Sequence, residues 1–159
     1  MPLAKNGKAE LHWDEKGAGT PILLVMGHRF SARMWYPAID ALAARHRVIW
    51  FDNRGTGLNA HLTGGRIATF SDDAFAVMDA AGVDRAHIYG VSMGGVIVID
   101  MALRAPHRVR SLIVGCSGIL DADKPHTPKW LLPLYLLPQP IVQRIRNGAS
   151  KGDHGYGSA

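Results

Sequence analysis

Five residues, Gly90-Val91-Ser92-Met93-Gly94, form the pattern in this chain most able to do chemistry. They follow the short apolar run His87-Ile88-Tyr89 and precede a long apolar stretch over residues 95–103. A serine between glycines at such a junction fits a strand-to-helix turn, because small neighbours let the chain reverse sharply and hold the serine in a strained, exposed conformation. A helix starting directly behind it offers free N–H groups and the positive end of its dipole, where an oxyanion could be held. The pattern predicts acyl transfer on Ser92. The plainer alternative is a glycine-rich turn with a solvated serine, and the flanking strand and helix weigh against it.

The elements that must position this serine are legible in the hydrophobic pattern. Residues 22–26 are continuously apolar and end at Gly27, as a strand buried on both faces should. Residues 47–51 repeat the pattern and are closed by Asp52-Asn53-Arg54-Gly55, and further strands are expected over 86–90 and 111–114. Residues 10–14 alternate weakly and suggest an opening edge strand, followed by a Gly17-Ala18-Gly19 turn. Helical spacing occurs over 35–44, with Ile39, Leu42 and Ala43 on one side. Ser71 reads as a helix N-cap with Asp72 and Asp73 in the first turn, and Ala74, Val77, Met78 and Ala81 follow at helical spacing up to Gly82. A third helix spans 94–105 and stops at Pro106, although its Val96-Ile97-Val98-Ile99 run favours strand by propensity.

Strands alternating with helices imply an α/β fold: a mostly parallel sheet with helices on both faces. Ligands bind such sheets at the carboxyl ends of the strands. Gly27, Asp52 and Ser92 each close a strand, so the loops bearing them are expected to converge there.

Composition bounds the remaining possibilities. With 159 residues, 47% hydrophobic and 19% charged, the chain reads as one globular protein with a sizeable core. The net charge of +5 comes from scattered cations, which points away from nucleic acid. Cys116 is the single cysteine, so an internal disulfide is excluded, and its apolar surroundings predict a buried, inert thiol. The opening residues 1–7 lack the apolar core of a secretory signal, and no stretch approaches the ~20 apolar residues of a membrane span, so a cytoplasmic location is expected. No His/Asp/Glu set shows convincing metal-ligand spacing, and no cofactor is expected.

From Gly118 the composition changes. Five of the nine prolines lie between Pro125 and Pro140, interleaved with Trp130, Tyr135 and five leucines. The chain therefore divides into a core at 1–117 and a Pro/Leu-rich segment at 118–159. That segment is read as covering an apolar flank, with a lid or a lipid-surface patch as alternatives, and its glycine-rich last ten residues as frayed.

Three blocks in order now carry a family resemblance: Leu23-Leu24-Val25-Met26-Gly27-His28, then Phe51-Asp52-Asn53-Arg54-Gly55-Thr56-Gly57, then Gly90-Val91-Ser92-Met93-Gly94-Gly95. Over residues 10–117 the chain resembles the α/β-hydrolase family, most closely its bacterial branch of esterases, lactonases, C–C bond hydrolases and cofactor-free haloperoxidase-like enzymes. The resemblance implies Ser92 as nucleophile and the backbone N–H groups of Met93 and His28 as the oxyanion hole. An imidazole at position 28 departs from the apolar or aromatic residue common there. The block from Asp52 to Gly57 is implied to shape the loop beside the site. Serine at 92, in place of aspartate, argues against epoxide-hydrolase and dehalogenase branches.

Family members carry their acid and histidine after a seventh and an eighth strand, and this chain resembles their first three-fifths. It is therefore expected to lack the last strands. Within the chain, Asp121 or Asp123 as acid and His126 or His154 as base keep the required order, with Asp121 and His154 the leading candidates; a solvated turn and a frayed tail are their plainer readings. His12, His46, His61, His87 and His107 precede or lie too near the sheet elements to serve as bases and are read as surface or packing residues. The strand at 111–114 would present an open edge, which implies a covering segment, a homo-oligomer or a complementing chain.

Two functions follow: a serine hydrolase acting on a small-molecule ester, lactone or thioester, or a non-catalytic, partner-dependent protein keeping the first half of the fold. A nucleotide site is formally suggested by Gly55-Thr56-Gly57-Leu58-Asn59-Ala60, but residues 61–65 do not make the helix that would hold a pyrophosphate.

Overall fold

The computed structural model describes residues 1–117. Strands β1 (Leu3–Asn6), β2 (Ala9–Lys16), β3 (Thr20–Val25), β4 (His46–Phe51), β5 (Ala86–Val91) and β6 (Val109–Gly115) form one sheet in the order β1-β2-β4-β3-β5-β6. Helices α1 (Tyr36–Ala43), α2 (Ile67–Ala80) and α3 (Met93–Arg104) connect the strands from β3 onward. β3 runs parallel to β4 and β5, and β5 parallel to β6, whereas β1 and β2 are antiparallel to their neighbours. The sheet is thus mostly parallel, as expected.

The continuous apolar run of β3 follows from its place inside the sheet. Ile22 and Leu24 face a cluster with Val48, Trp35 and the inner side of α1, while Leu23 and Val25 face a second cluster with Val77, Met78, Ile97, Val98 and Met101 from α2 and α3. Helices therefore cover both faces. Each fully buried side chain of this size contributes roughly 1.5–3 kcal/mol. This packing also overrides the strand propensity of Val96 to Ile99, which lie well inside α3.

Three expectations are corrected. The segment at 10–14 is not an edge strand: β1 pairs outside it, with Leu3 opposite His12 and Asn6 opposite Ala9. β1 escaped notice because its four residues bury only Ala4. Ser71 is not an N-cap. α2 starts a turn earlier, where the Arg66 N–H donates to Thr69 Oγ1 at 3.3 Å, and Ser71 is buried in its middle, donating to the Ile67 carbonyl at 3.2 Å. Asp72 and Asp73 accordingly lie past the first turn.

Cys116 is the third correction, since it is exposed and has φ +48°. The apolar run before it is strand β6, whose Leu112, Ile113 and Val114 are exposed at 40, 44 and 38% on the outermost described strand. An apolar run on an edge strand does not guarantee burial.

Candidate active site

Ser92 sits between β5 and α3, exposed, with φ 57° and ψ −123°. Left-handed backbone at a non-glycine residue is strained and persists only where surrounding contacts impose it. Those contacts explain the glycines. A Cβ at Gly90 would collide with the Gly94 backbone, and one at Gly94 with the Val25 carbonyl at the end of β3. The Ser92 N–H donates to the Gly115 carbonyl at 2.9 Å, and Gly95 N–H returns to the Ser92 carbonyl at 2.9 Å. The hydroxyl-bearing turn is thereby wedged between the carboxyl ends of β3 and β6.

Met93 is the first residue of α3, so its N–H belongs to the helix-start amides that have no acceptor within the helix. Gly27 stands across from the serine: a Cβ there would lie 3.0 Å from Ser92 Cβ and 3.5 Å from Oγ. His28, the next residue, is exposed, and Arg29 after it has φ +64°. Partial desolvation first, and the Arg29 charge second, hold the His28 imidazole below its ordinary value of 6.5. The structure thus brings Ser92, Met93 and the Gly27-His28 segment to one edge of the sheet.

The block closing β4 frames the same edge. Asp52 is buried and accepts the Ala32 N–H at 2.7 Å and the Leu58 N–H at 2.8 Å, tying the loop after β3 to the turn at Gly57–Asn59. Asn53 donates Nδ2–H to the Met26 carbonyl at 2.7 Å, fixing the chain one residue before Gly27. Arg54 makes a two-pronged contact with buried Asp73, through Nε and Nη2 at 2.6 Å each, and Asn6 Nδ2 adds a third donor at 2.7 Å. Sequence reasoning missed this pairing, because it took Asp73 for a helix-start charge.

Asp121, Asp123, His126 and His154 lie outside the described residues, as does the whole segment at 118–159. Among the described residues, no three or more His, Cys, Asp or Glu side chains could hold a metal ion. The Gly55-to-Ala60 motif contains a short 3-10 turn, Gly57–Asn59, and α2 begins only at Ile67, so no α-helix N-terminus meets that loop. A cleft of about 540 Å³ opens on the α1 face, with Tyr36, Ile39, Trp50 and Leu58 among its walls; Ser92, Met93, Gly27 and His28 are not.

Residues 20–151 match the model of the alpha/beta hydrolase fold family. The chain belongs to that family. RutD of Azorhizobium caulinodans, whose name assigns it a carbamate hydrolase role, is 49% identical over 124 residues, covering 77% of this chain and 46% of the relative. Among solved structures, an N-acyl homoserine lactone degrading enzyme is similar with a TM-score of 0.71 and 33% identity, over 79% of this chain and 49% of that one. BpoC of Mycobacterium tuberculosis, named for a non-heme bromoperoxidase role, gives a TM-score of 0.72 and 31% identity, over 86% and 53%. The chain spans about half the length of these alpha/beta hydrolase relatives. No helix among its described residues is long and apolar enough to cross a membrane.

Proposed function

We propose that this chain carries the nucleophile of a serine hydrolase that acts on a small ester, lactone or thioester through an acyl-enzyme. The observation that supports this most is the exposed Ser92 at φ 57° and ψ −123°, at the strand-to-helix junction of an alpha/beta hydrolase sheet. Relatives named for carbamate hydrolysis and lactone degradation are in keeping with acyl chemistry.

In this mechanism Ser92 Oγ attacks the substrate carbonyl carbon while an imidazole takes its proton. The tetrahedral oxyanion is held by the backbone N–H groups of Met93 and His28. Collapse breaks the bond to the leaving alcohol or thiol, which receives the proton from the imidazolium. Water, deprotonated by the same imidazole, then releases the acid and regenerates Ser92. His154 is the base and Asp121 the acid that the sequence offers for these roles. The test is hydrolysis of a nitrophenyl ester by the full chain: turnover abolished by Ser92→Ala supports the proposal, and turnover unchanged by that substitution overturns it.

A second reading, dependence on a complementing chain, is favoured by the exposed Leu112, Ile113 and Val114 of β6. It predicts no turnover by the chain alone and turnover when a chain supplying further strands is added.

A further inference from the structure

The strain at Ser92 needs an external constraint, and the described contacts come from two sides. The β3 side supplies Gly27 against the serine side chain and the Val25 and Met26 carbonyls against Gly94. The β6 side supplies the Gly115 carbonyl, which accepts the Ser92 N–H at 2.9 Å. It also supplies Ser117, whose Cβ occupies the space a side chain at Gly95 would need, with Oγ 2.7 Å from the same point and Val114 Cγ1 at 3.0 Å. Gly95 in turn donates its N–H to the Ser92 carbonyl at 2.9 Å, so a push on Gly95 is delivered to Ser92 through one hydrogen bond. The two ends of the Ser92 residue are thus both referred to the end of β6: its N–H directly, its carbonyl by way of Gly95 and Ser117.

We propose that Ser117 is a positioning residue for Ser92, acting through its seat on Gly95 and together with the Gly115 carbonyl. Its fit on the first turn of α3 sets the angle at which the hydroxyl is presented. This inference rests on the reading of Ser92 as nucleophile only for its catalytic consequence, because the clamp itself is a matter of geometry. A misplacement of about 1 Å at a reacting group can lower a rate about a hundredfold, so a smaller shift here is expected to cost about tenfold.

A size exchange tests it. Gly95→Ala in the full chain is expected to displace the turn, whereas Gly95→Ala with Ser117→Gly removes the two shortest clashes of the new methyl and leaves only Val114 Cγ1, at 3.0 Å, to give by a few tenths of an ångström. The first readout is hydrogen exchange at the Ser92 amide, followed by NMR: slow in the parent, faster by about tenfold in Gly95→Ala, and slow again in the pair, with thermal midpoints of all three compared. The second is the rate of fluorophosphonate labelling, expected to fall about tenfold and to recover to within about threefold. Exchange that is unchanged in Gly95→Ala, or that stays fast in the pair, overturns the proposal. If no variant, nor the parent, is labelled while the exchange pattern holds, the clamp stands and the nucleophile reading fails.

Discussion

Gly27 and Ser92 face each other across the carboxyl edge of the sheet with no room for a methyl group between them: a Cβ at Gly27 would stand 3.0 Å from Ser92 Cβ and 3.2 Å from the Val91 carbonyl. β3 and β5 are adjacent parallel strands, paired from Ile22 with His87 to Val25 with Gly90, so their loops leave the sheet side by side. The Gly27-His28 segment therefore leaves the sheet beside the serine-bearing turn. Gly27→Ala is expected to shift the serine by a few tenths of an ångström, slowing fluorophosphonate labelling about tenfold and costing about 1–2 kcal/mol in denaturant unfolding. Unchanged labelling would show that the gap is wider than the backbone implies.

Asp73 and Arg54 hold the loop after β4 to α2, and Asn6 brings β1 into the same contact. Asp73 is buried and the Arg54 side chain is 12% exposed, so removing Asp73 leaves a guanidinium with little water to replace its partner. Asp73→Ala should lower stability by about 3 kcal/mol, whereas exchanging both residues for leucine should cost much less. Chemical denaturation of the two variants measures the difference.

Asp52 joins two loops through two backbone N–H groups, and Gly57, at φ +48°, sits so close that any Cβ would meet the carboxylate. Gly57→Ala combines a left-handed backbone penalty of about 1–2 kcal/mol with that collision. It should destabilise more than Gly64→Ala, where φ is +72° but nothing lies within 4 Å of the added methyl. Equal losses in thermal unfolding would remove the Asp52 contact as a cause.

His28 should titrate below its ordinary value of 6.5, from desolvation first and the Arg29 charge second. Arg29→Gln then raises its midpoint without restoring it fully, as followed by imidazole proton shifts. Because the folded value is the lower one, the unfolded chain binds more protons as pH falls below the ordinary value. His28's contribution is present above that pH and is lost as pH falls through the folded value. A His28 midpoint at or above the ordinary value would contradict the assigned cause.

Much of this was readable from the residues, and the failures share a physical origin. The run at 22–26 marks a central strand because both faces of β3 are covered, and Gly90 and Gly94 mark a turn because a Cβ at either would meet backbone. β1 was invisible since a four-residue strand with one buried alanine carries almost no periodic signal. Ser71 and Asp73 were misread because local capping rules do not see a partner such as Arg54, 19 positions away. Cys116 was misread because hydrophobicity reports what a strand could bury, not what covers it. The Gly95–Ser117 contact joins two elements through a shape that no pattern of residue types announces.

The most direct measurement is labelling of the 159-residue chain with a fluorophosphonate, mapped by peptide mass spectrometry against Ser92→Ala. A single adduct on the peptide containing Ser92, absent from the alanine variant, is the predicted result. A folded protein that takes up no reagent at Ser92, or takes it up equally elsewhere, would contradict an activated serine at the mouth of this sheet.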